Sequence, residues 1–336
     1  MVGEVSSLND VAGETSPGIR GIRRWIGRAG AFVLGAVLLI AAFAKALDPL
    51  GFAQQIQQQG LAIGLSAPVL AIAAIAVEVG LGLLLVLGVR RLWVLVPAAL
   101  LVAFFVFLTG RDAWRAAHGT LPADASCGCF GNLVERTPLE AFWQDVLLLV
   151  PALGAAFVAR DRAARQPWKR GAVAALGALG AALFAIKAPG LPLDDLATRL
   201  RPGARAAALC AGAGDERVCL DGIVPELQSG RHLVVLANLG DESFGKVVQQ
   251  LNDYASAPDR PSLWVVVAAT PEEKNAFFWR YGPTFEIREA PPALLRPLYR
   301  RLPRGFLVED GRVVQTWSGV PPLNDEPARQ VAAVSG

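Results

Sequence analysis

Two cysteines one residue apart carry the clearest chemical signal in the chain, in Ser126-Cys127-Gly128-Cys129-Phe130-Gly131. Gly128 has no Cβ, so the backbone can fold tightly enough to bring the two sulfurs together. A disulfide between them closes a very small ring, and strained disulfides are the more oxidising, labile and catalytic ones. The spacing points to a pair that cycles between dithiol and disulfide. Two other readings stay open: a static turn without a redox role, and a soft-metal site, because a thiolate pair suits copper(I) or zinc. His118 is the one histidine nearby and no further ligand spacing accompanies it, so no metal site is assigned.

Cys210 and Cys219 form a second pair and flank the turn Ala211-Gly212-Ala213-Gly214-Asp215 of an expected hairpin. They read either as a structural staple or as a second redox couple that exchanges with the first through a mixed disulfide.

Four charged residues sit at or inside apolar runs: Lys45, Glu78, Arg111 and Asp145. Glu78 falls near the middle of its run. An intramembrane charge is expensive, and by default it is functional, paired or protonated. Ion pairs among the four would hold a bundle together as readily as they would move protons. Lys45 can also snorkel to the outer surface.

The elements that must place these residues follow from composition. Hydrophobic residues make up 53% of the chain and charged residues 18%, and the apolar ones concentrate in the first half in runs of bilayer-spanning length. The spans expected are 29–47, 66–88, 92–110, 139–159 and 171–186. A cleaved signal peptide ending near Ala42-Phe43-Ala44 is the alternative for the first. Between the first two spans, 48–65 holds no Lys or Arg and suits a short amphipathic connector. The cysteine loop occupies 111–138. The small residues Ala73, Ala74, Ala76, Gly80 and Gly82 would permit close helix contact.

Arg20, Arg23, Arg24 and Arg28 precede the first span, Arg90 and Arg91 separate the second and third, and Arg160, Arg162, Arg165, Lys169 and Arg170 precede the fifth. The alternate loops hold few, chiefly Arg111, Arg115 and Arg136. By the positive-inside rule the N-terminus is cytoplasmic, in the inner membrane, and five spans leave the cysteine loop and the C-terminal domain outside, where disulfides persist. No basic stripe with interleaved aromatics suggests nucleic acid.

The soluble half reads as a linker over 191–203, then the cysteine hairpin, buried strands at His232 to Asn238 and Leu263 to Ala269, helices at Ser243 to Tyr254 and Glu272 to Tyr281, and a terminal hairpin about Asp310-Gly311. This order resembles the thioredoxin-like fold. Pro303 stands where such folds carry a cis-proline facing the active site; a trans proline that merely starts the strand is the alternative. The turn that would hold Cys-x-x-Cys reads Asp241-Glu242-Ser243-Phe244-Gly245, without a thiol. The domain is then a docking or chaperone-like module, or it borrows Cys210 and Cys219.

The fold class expected is therefore an α-helical membrane bundle of four helices plus a fifth span, followed by an α/β thioredoxin-like extracytoplasmic domain. The parts are a disordered tail over 1–24, the four-span domain over 25–160, a basic loop and fifth span over 161–190, the linker, and the soluble domain over 204–336.

Phe43-Ala44-Lys45-Ala46-Leu47-Asp48-Pro49, Glu78 with Gly80-Leu81, Arg111, and Cys127-Gly128-Cys129-Phe130-Gly131 together resemble the MauE branch of the DoxX-like membrane proteins, associated with methylamine utilisation. The resemblance covers about residues 25 to 160. It implies a four-helix membrane bundle with a redox-linked accessory role in making methylamine dehydrogenase, whose small subunit is rich in disulfides, alongside a thioredoxin-like partner. The expected partner is an extracytoplasmic protein with cysteines or a thioredoxin-like thiol protein, besides the lipid bilayer. Two alternatives accompany this reading: a scaffold with permanent disulfides, and a thiol-disulfide oxidoreductase that uses a quinone as cofactor.

Overall fold

The computed structural model describes residues 17–62, 64–120, 137–160, 168–212, 217–258 and 260–323. The loop of Cys127 and Cys129, Arg136, and residues 1–16 of the expected disordered tail lie outside them. Among the described residues, five helices are long and apolar enough to cross a membrane: Gly21–Leu47, Ala67–Val86, Leu92–Ala117, Pro138–Val158 and Trp168–Gly190. The protein is an integral membrane protein with an α/β domain after the last span.

The first helix, α1 (Pro17–Leu47), begins earlier than expected. It runs through the basic cluster, so the part of the expected tail from Pro17 onward is helical. Asp48 ends it and caps α2 (Pro49–Gln58): its Oδ1 accepts from Gly51 N at 3.0 Å, and Pro49 supplies the fixed φ of a first helical residue. The spans α3 (Ala67–Val86) and α4 (Leu92–Ala117) follow. The fourth span starts as α5 (Pro138–Gln144) in a capping box made by Thr137 and Glu140. It then passes through a five-residue π-turn, Asp145–Leu149, into α6 (Val150–Val158). Pro151 has no N–H to give the preceding turn, which relaxes the hydrogen-bond ladder at this point. The fifth span is α7 (Trp168–Lys187).

The described chain divides into two compact units. The first holds α1 as far as Phe43, the chain from Ile72 through α4, and the chain from Thr137 to Phe184. Its packing is set by glycines of α1. A Cβ on Gly30 would lie 2.6 Å from Ala152 O and 2.8 Å from Ala155 Cβ, and one on Gly35 would lie 2.7 Å from Gly82 O. Helix α1 therefore presses its backbone onto α6 on one side and onto α3 on the other. Without a hydrophobic driving force between helices in lipid, such close contact is what holds spans together. Leu34, Leu38, Leu85, Leu95 and Val94 fill the bundle interior.

The second unit holds Ala44–Ala71 and the chain from Ala185 onward. Its main sheet has the order β5-β4-β3-β6-β7, built from β3 (Arg231–Ala237), β4 (Ser262–Val267), β5 (Glu286–Glu289), β6 (Arg304–Glu309) and β7 (Arg312–Trp317). Strands β3, β4 and β5 are parallel, and β6 and β7 are antiparallel additions. The connections β3 to β4 and β4 to β5 carry α10 (Glu242–Gly245) with α11 (Val248–Ser256), and α12 (Pro271–Tyr281). Alternating residues of β3 feed two cores: Val234 and Leu236 on one face, Leu233 and Val235 on the other. Asp310 and Gly311 both have positive φ, 46° and 75°, and close the β6–β7 hairpin. This is a thioredoxin-like sheet. The sequence reading missed β5.

The stretch expected to be a linker is part of the domain. It carries α8 (Asp194–Ala197), and Ala197 and Leu200 are fully buried. Thr198 Oγ1 donates to Asp194 O at 2.8 Å. The prolines and glycines of this stretch make turns around a packed segment instead of a flexible spacer.

Candidate functional site

Cys127 and Cys129 lie outside the described residues, and the helices before and after their loop are α4 and α5. Helix α4 ends at His118, whose Nδ1 lies 2.8 Å from Trp114 O and whose ring rests 4.3 Å from that of Trp114. The histidine considered for a metal site is thus engaged with its own helix. Among the described residues no group of three His, Cys, Asp or Glu is placed to hold a metal ion.

Of the charged residues expected in the membrane, Glu78, Asp145 and Arg111 fall in the first unit and Lys45 in the second. Glu78 and Asp145 are buried. Asp145 opens the π-turn of the fourth span and receives Thr109 Oγ1 at 3.4 Å from α4. Thr109 also donates to Phe105 O at 2.9 Å. Arg111 pairs at 3.3 Å with Asp112, a buried carboxylate that the sequence reading passed over. Helix α4 thus brings Thr109 and Asp112, and the π-turn Asp145, into the bundle, and π-turns of this kind frequently mark functional sites. Lys45 is buried, with its Nζ 5.1 Å from the centre of the Phe52 ring of α2.

In the soluble domain the Leu302–Pro303 bond is cis, the first of the two alternatives for Pro303. It enters β6 at Arg304, which pairs in register with Leu236 near the end of β3. The turn that follows β3 therefore leaves the sheet at the same end. That turn, where thioredoxins hold their thiols, is built for packing. Asp241 caps α10 by accepting from Ser243 N at 2.8 Å, and this backbone hydrogen bond, aided by the Ser243 hydroxyl, holds its carboxyl below the usual range. Phe244 is buried and stacks on Phe277 at 5.8 Å. A Cβ on Gly245 would fall 2.3 Å from Tyr281 Cζ. Glu242 and Gly245 have the i, i+3 spacing of Cys-x-x-Cys, and the space that a second thiol would need is occupied by Tyr281.

This contact gives a prediction with opposing terms. Helix propensity favours Gly245→Ala by up to ~1 kcal/mol. Forcing a methyl into the Tyr281 ring costs about 1–3 kcal/mol, and more where the ring cannot move. Gly245→Ala is expected to lower the thermal midpoint of the domain. Adding Tyr281→Ala should remove the penalty, and Tyr281→Phe should not, because the Cζ contact persists. Equal midpoints for Gly245→Ala and the wild type would refute the overlap.

Cys210 and Cys219 are joined, with Cα atoms 3.9 Å apart at directly opposed positions of β1 (Cys210–Ala211) and β2 (Val218–Cys219). Arg199 fastens this hairpin to the rest of the domain: its side chain donates to Cys210 O at 3.0 Å and Ala208 O at 3.2 Å, and its backbone N–H donates to Pro297 O. Leu209 and Leu220 sink into the same core as Leu294, Leu295 and Leu298. Both readings of the pair, structural staple and second redox couple, start from this disulfide. Exchange with the membrane loop remains an expectation.

Membrane spans with buried carboxylates, continued in one chain by a thioredoxin-like domain that has no thiol at its active-site turn, define the class of protein. Residues 23–158 match the model of the family described as methylamine utilisation protein MauE, the stretch over which the sequence motifs resemble that family. Among solved structures, the solution structure of a candidate protein disulfide isomerase from Bacteroides thetaiotaomicron is similar to this chain at 16% identity, with a TM-score of 0.28, covering 41% of this chain and 90% of that one. No curated protein matches the chain.

Proposed function

We propose that this protein is a membrane accessory in the oxidative maturation of an extracytoplasmic, disulfide-containing enzyme, with Cys127 and Cys129 as its working thiol pair. The observation that carries the reading is the Cys-Gly-Cys spacing inside a MauE-type segment, between the third and fourth spans. The basic residues beside the spans support an N-terminus in the cytoplasm of a cell bounded by the inner membrane, with the cysteine loop and the thioredoxin-like domain outside.

A substrate thiolate attacks the Cys127–Cys129 disulfide and forms a mixed disulfide, and a second substrate thiolate resolves it. The substrate gains a disulfide and loses two electrons and two protons, and Cys127 and Cys129 end as thiols. Return to the disulfide needs a two-electron acceptor, for which a membrane quinone, reduced to the quinol, is the class proposed. The thioredoxin-like domain selects or presents the substrate, since Asp241 to Gly245 offers no thiol of its own.

Acid-quenched cells labelled with a mass-tagged maleimide test this. In a variant with Cys210→Ser and Cys219→Ser, Cys127 and Cys129 are expected as a mixture of reduced and oxidised forms that shifts with growth redox conditions. Cys127→Ser and Cys129→Ser are each expected to abolish function while the chain still inserts. A pair that stays fully oxidised and inert, with a functional double-serine chain, would replace this reading with a scaffold held by permanent disulfides.

A further inference from the structure

The segment Arg296-Pro297-Leu298-Tyr299-Arg300-Arg301-Leu302-Pro303-Arg304 is the most basic in the soluble domain, and it leads directly into the cis-proline. Arg304 is buried, Arg296 is half-buried and Arg301 is exposed. Arg300 is buried and donates to Ala188 O at 2.8 Å and Leu191 O at 3.2 Å, and Arg301 donates to Pro189 O. Ala188, Pro189 and Leu191 are the residues through which the chain leaves the fifth span. Arg296 reaches the chain that leaves the first span: it donates to Gln54 Oε1 of α2 at 2.8 Å.

The receiving surface on α2 is shaped for that guanidinium. A Cβ on Gly51 would come within 3.1 Å of Arg296 Nη2 and 2.2 Å of Asp48 Oδ2, so only glycine leaves room for both. Asp48 is buried beside it. Burial raises its carboxyl above the usual range, and Arg296 and Arg300 act in the opposite direction.

We infer that the cis-proline end of the thioredoxin-like domain is an internal docking surface whose partner is this chain's own span exits, 48–54 and 188–191, with Arg296, Arg300 and Arg301 as the fasteners. This goes beyond the redox reading and does not depend on it. Arg296, Arg300 and Arg301, in the segment that leads to the cis-proline, are the residues that the span exits engage. A protein partner meets the domain on another face, or after the clasp opens.

The test uses the full chain in its membrane, with Cys127→Ser and Cys129→Ser in place and the Cys210–Cys219 disulfide kept. Gln54→Cys with Arg296→Cys is oxidised with copper phenanthroline and scored by loss of maleimide tagging. The control pair is Gln54→Cys with Arg312→Cys, at the far end of the β6–β7 hairpin from Arg304. Held side by side, the first pair has a high effective concentration and is expected to close at least about tenfold faster than the control. Equal rates would overturn the inference. Because the substitutions touch the fasteners, a second measurement keeps native thiols out of the question: hydrogen exchange of the 296–302 peptide. Arg296→Glu is expected to speed it about tenfold, and Gln54→Arg added to Arg296→Glu should restore protection by reversing the pair. Exchange unchanged by Arg296→Glu would also overturn it. Neither readout requires a working redox pair, so failure here leaves the proposed chemistry standing and the reverse also holds.

Discussion

Arg304→Met is expected to open the thioredoxin-like domain, with amides of β3 and β6 exchanging roughly a hundredfold faster or more than in the wild type. Arg304 has no exposed surface. Its Nη1 donates to Thr198 Oγ1 at 2.5 Å and Leu298 O at 2.8 Å, and its Nη2 donates to Asp195 Oδ1 at 2.9 Å and Leu200 O at 2.7 Å. Asp195 Oδ1 also accepts from Thr316 Oγ1 of β7 at 2.7 Å. One guanidinium therefore joins β6, β7, the segment after α8 and the loop before the cis-proline. Burial pulls its pKa down, and the neighbouring Asp194 and Asp195 carboxylates oppose that.

The magnitude comes from what the substitution strands. Removing one partner of a buried charge network costs up to about 3–5 kcal/mol, because the Leu298 and Leu200 carbonyls lose their donor and stay out of water, and less at Asp195, whose side chain is 46% exposed and can be met by water. Every 1.4 kcal/mol is a factor of ten, which gives the hundredfold or more. Arg304→Lys should recover little of it. An ammonium offers its donors from one atom, and the four acceptors here surround a planar fork. Exchange rates within twofold of wild type for Arg304→Met would show that the network is not what holds β6 in place.

This network shows where sequence reasoning stopped. The strands were legible because β3 and β4 are continuous apolar runs, buried on both faces, and the β6–β7 hairpin because Asp310-Gly311 is a turn dipeptide. The spans were legible from length alone. Strand β5 was not, because Glu286-Ile287-Arg288-Glu289 is a short edge strand with one apolar residue, and its place is set by pairing with β4. The stretch from Leu191 to Pro202 looked like a spacer because its prolines and acids are what a solvated linker would carry. Asp194 and Asp195 are there to meet Arg300, Arg304, Thr316 and Ser318, contacts more than a hundred residues apart in sequence. The density of arginine from Arg296 to Arg304 was the one signal that could have drawn attention to them.

The same distinction holds in the membrane. Glu78 and Asp145 could be picked out because a charge in an apolar run is conspicuous. Asp112 could not: it stands beside Arg111 at the end of a span, where an exposed ion pair is the ordinary expectation, yet it is buried. The π-turn at Asp145 has no sequence signature beyond Pro151, and a proline six residues downstream reads equally well as a simple kink.

Gly30→Leu is expected to break the membrane bundle, whereas Gly154→Leu should leave it intact. Both glycines lie in spans, and both substitutions raise helix propensity by ~1 kcal/mol. They differ in what a side chain would meet. At Gly30 the first added carbon already lies 2.6 Å from Ala152 O, a backbone atom that cannot swing aside, whereas at Gly154 nothing stands within 4 Å. A neighbouring position repeats the argument: a Cβ on Gly27 would sit 2.1 Å from Ala159 Cβ. A leucine at Gly30 must push α1 and α6 apart along a seam where Ala152 and Ala156 fill the interior. Overpacking costs about 1–3 kcal/mol in a core that can adjust, and more against backbone. Because close approach is the principal attraction between spans in lipid, little remains to offset the loss. In thermal unfolding of the detergent-solubilised chain, Gly30→Leu should lower the midpoint of the bundle, and Gly154→Leu should match or exceed the wild type. If the two behave alike, α1 is not seated on α6 through its glycines. If they separate as expected, the contact between the first and fourth spans rests on the absence of side chains at these positions, and Asp145, carried just ahead of that seam on the π-turn, owes its depth in the bundle to it.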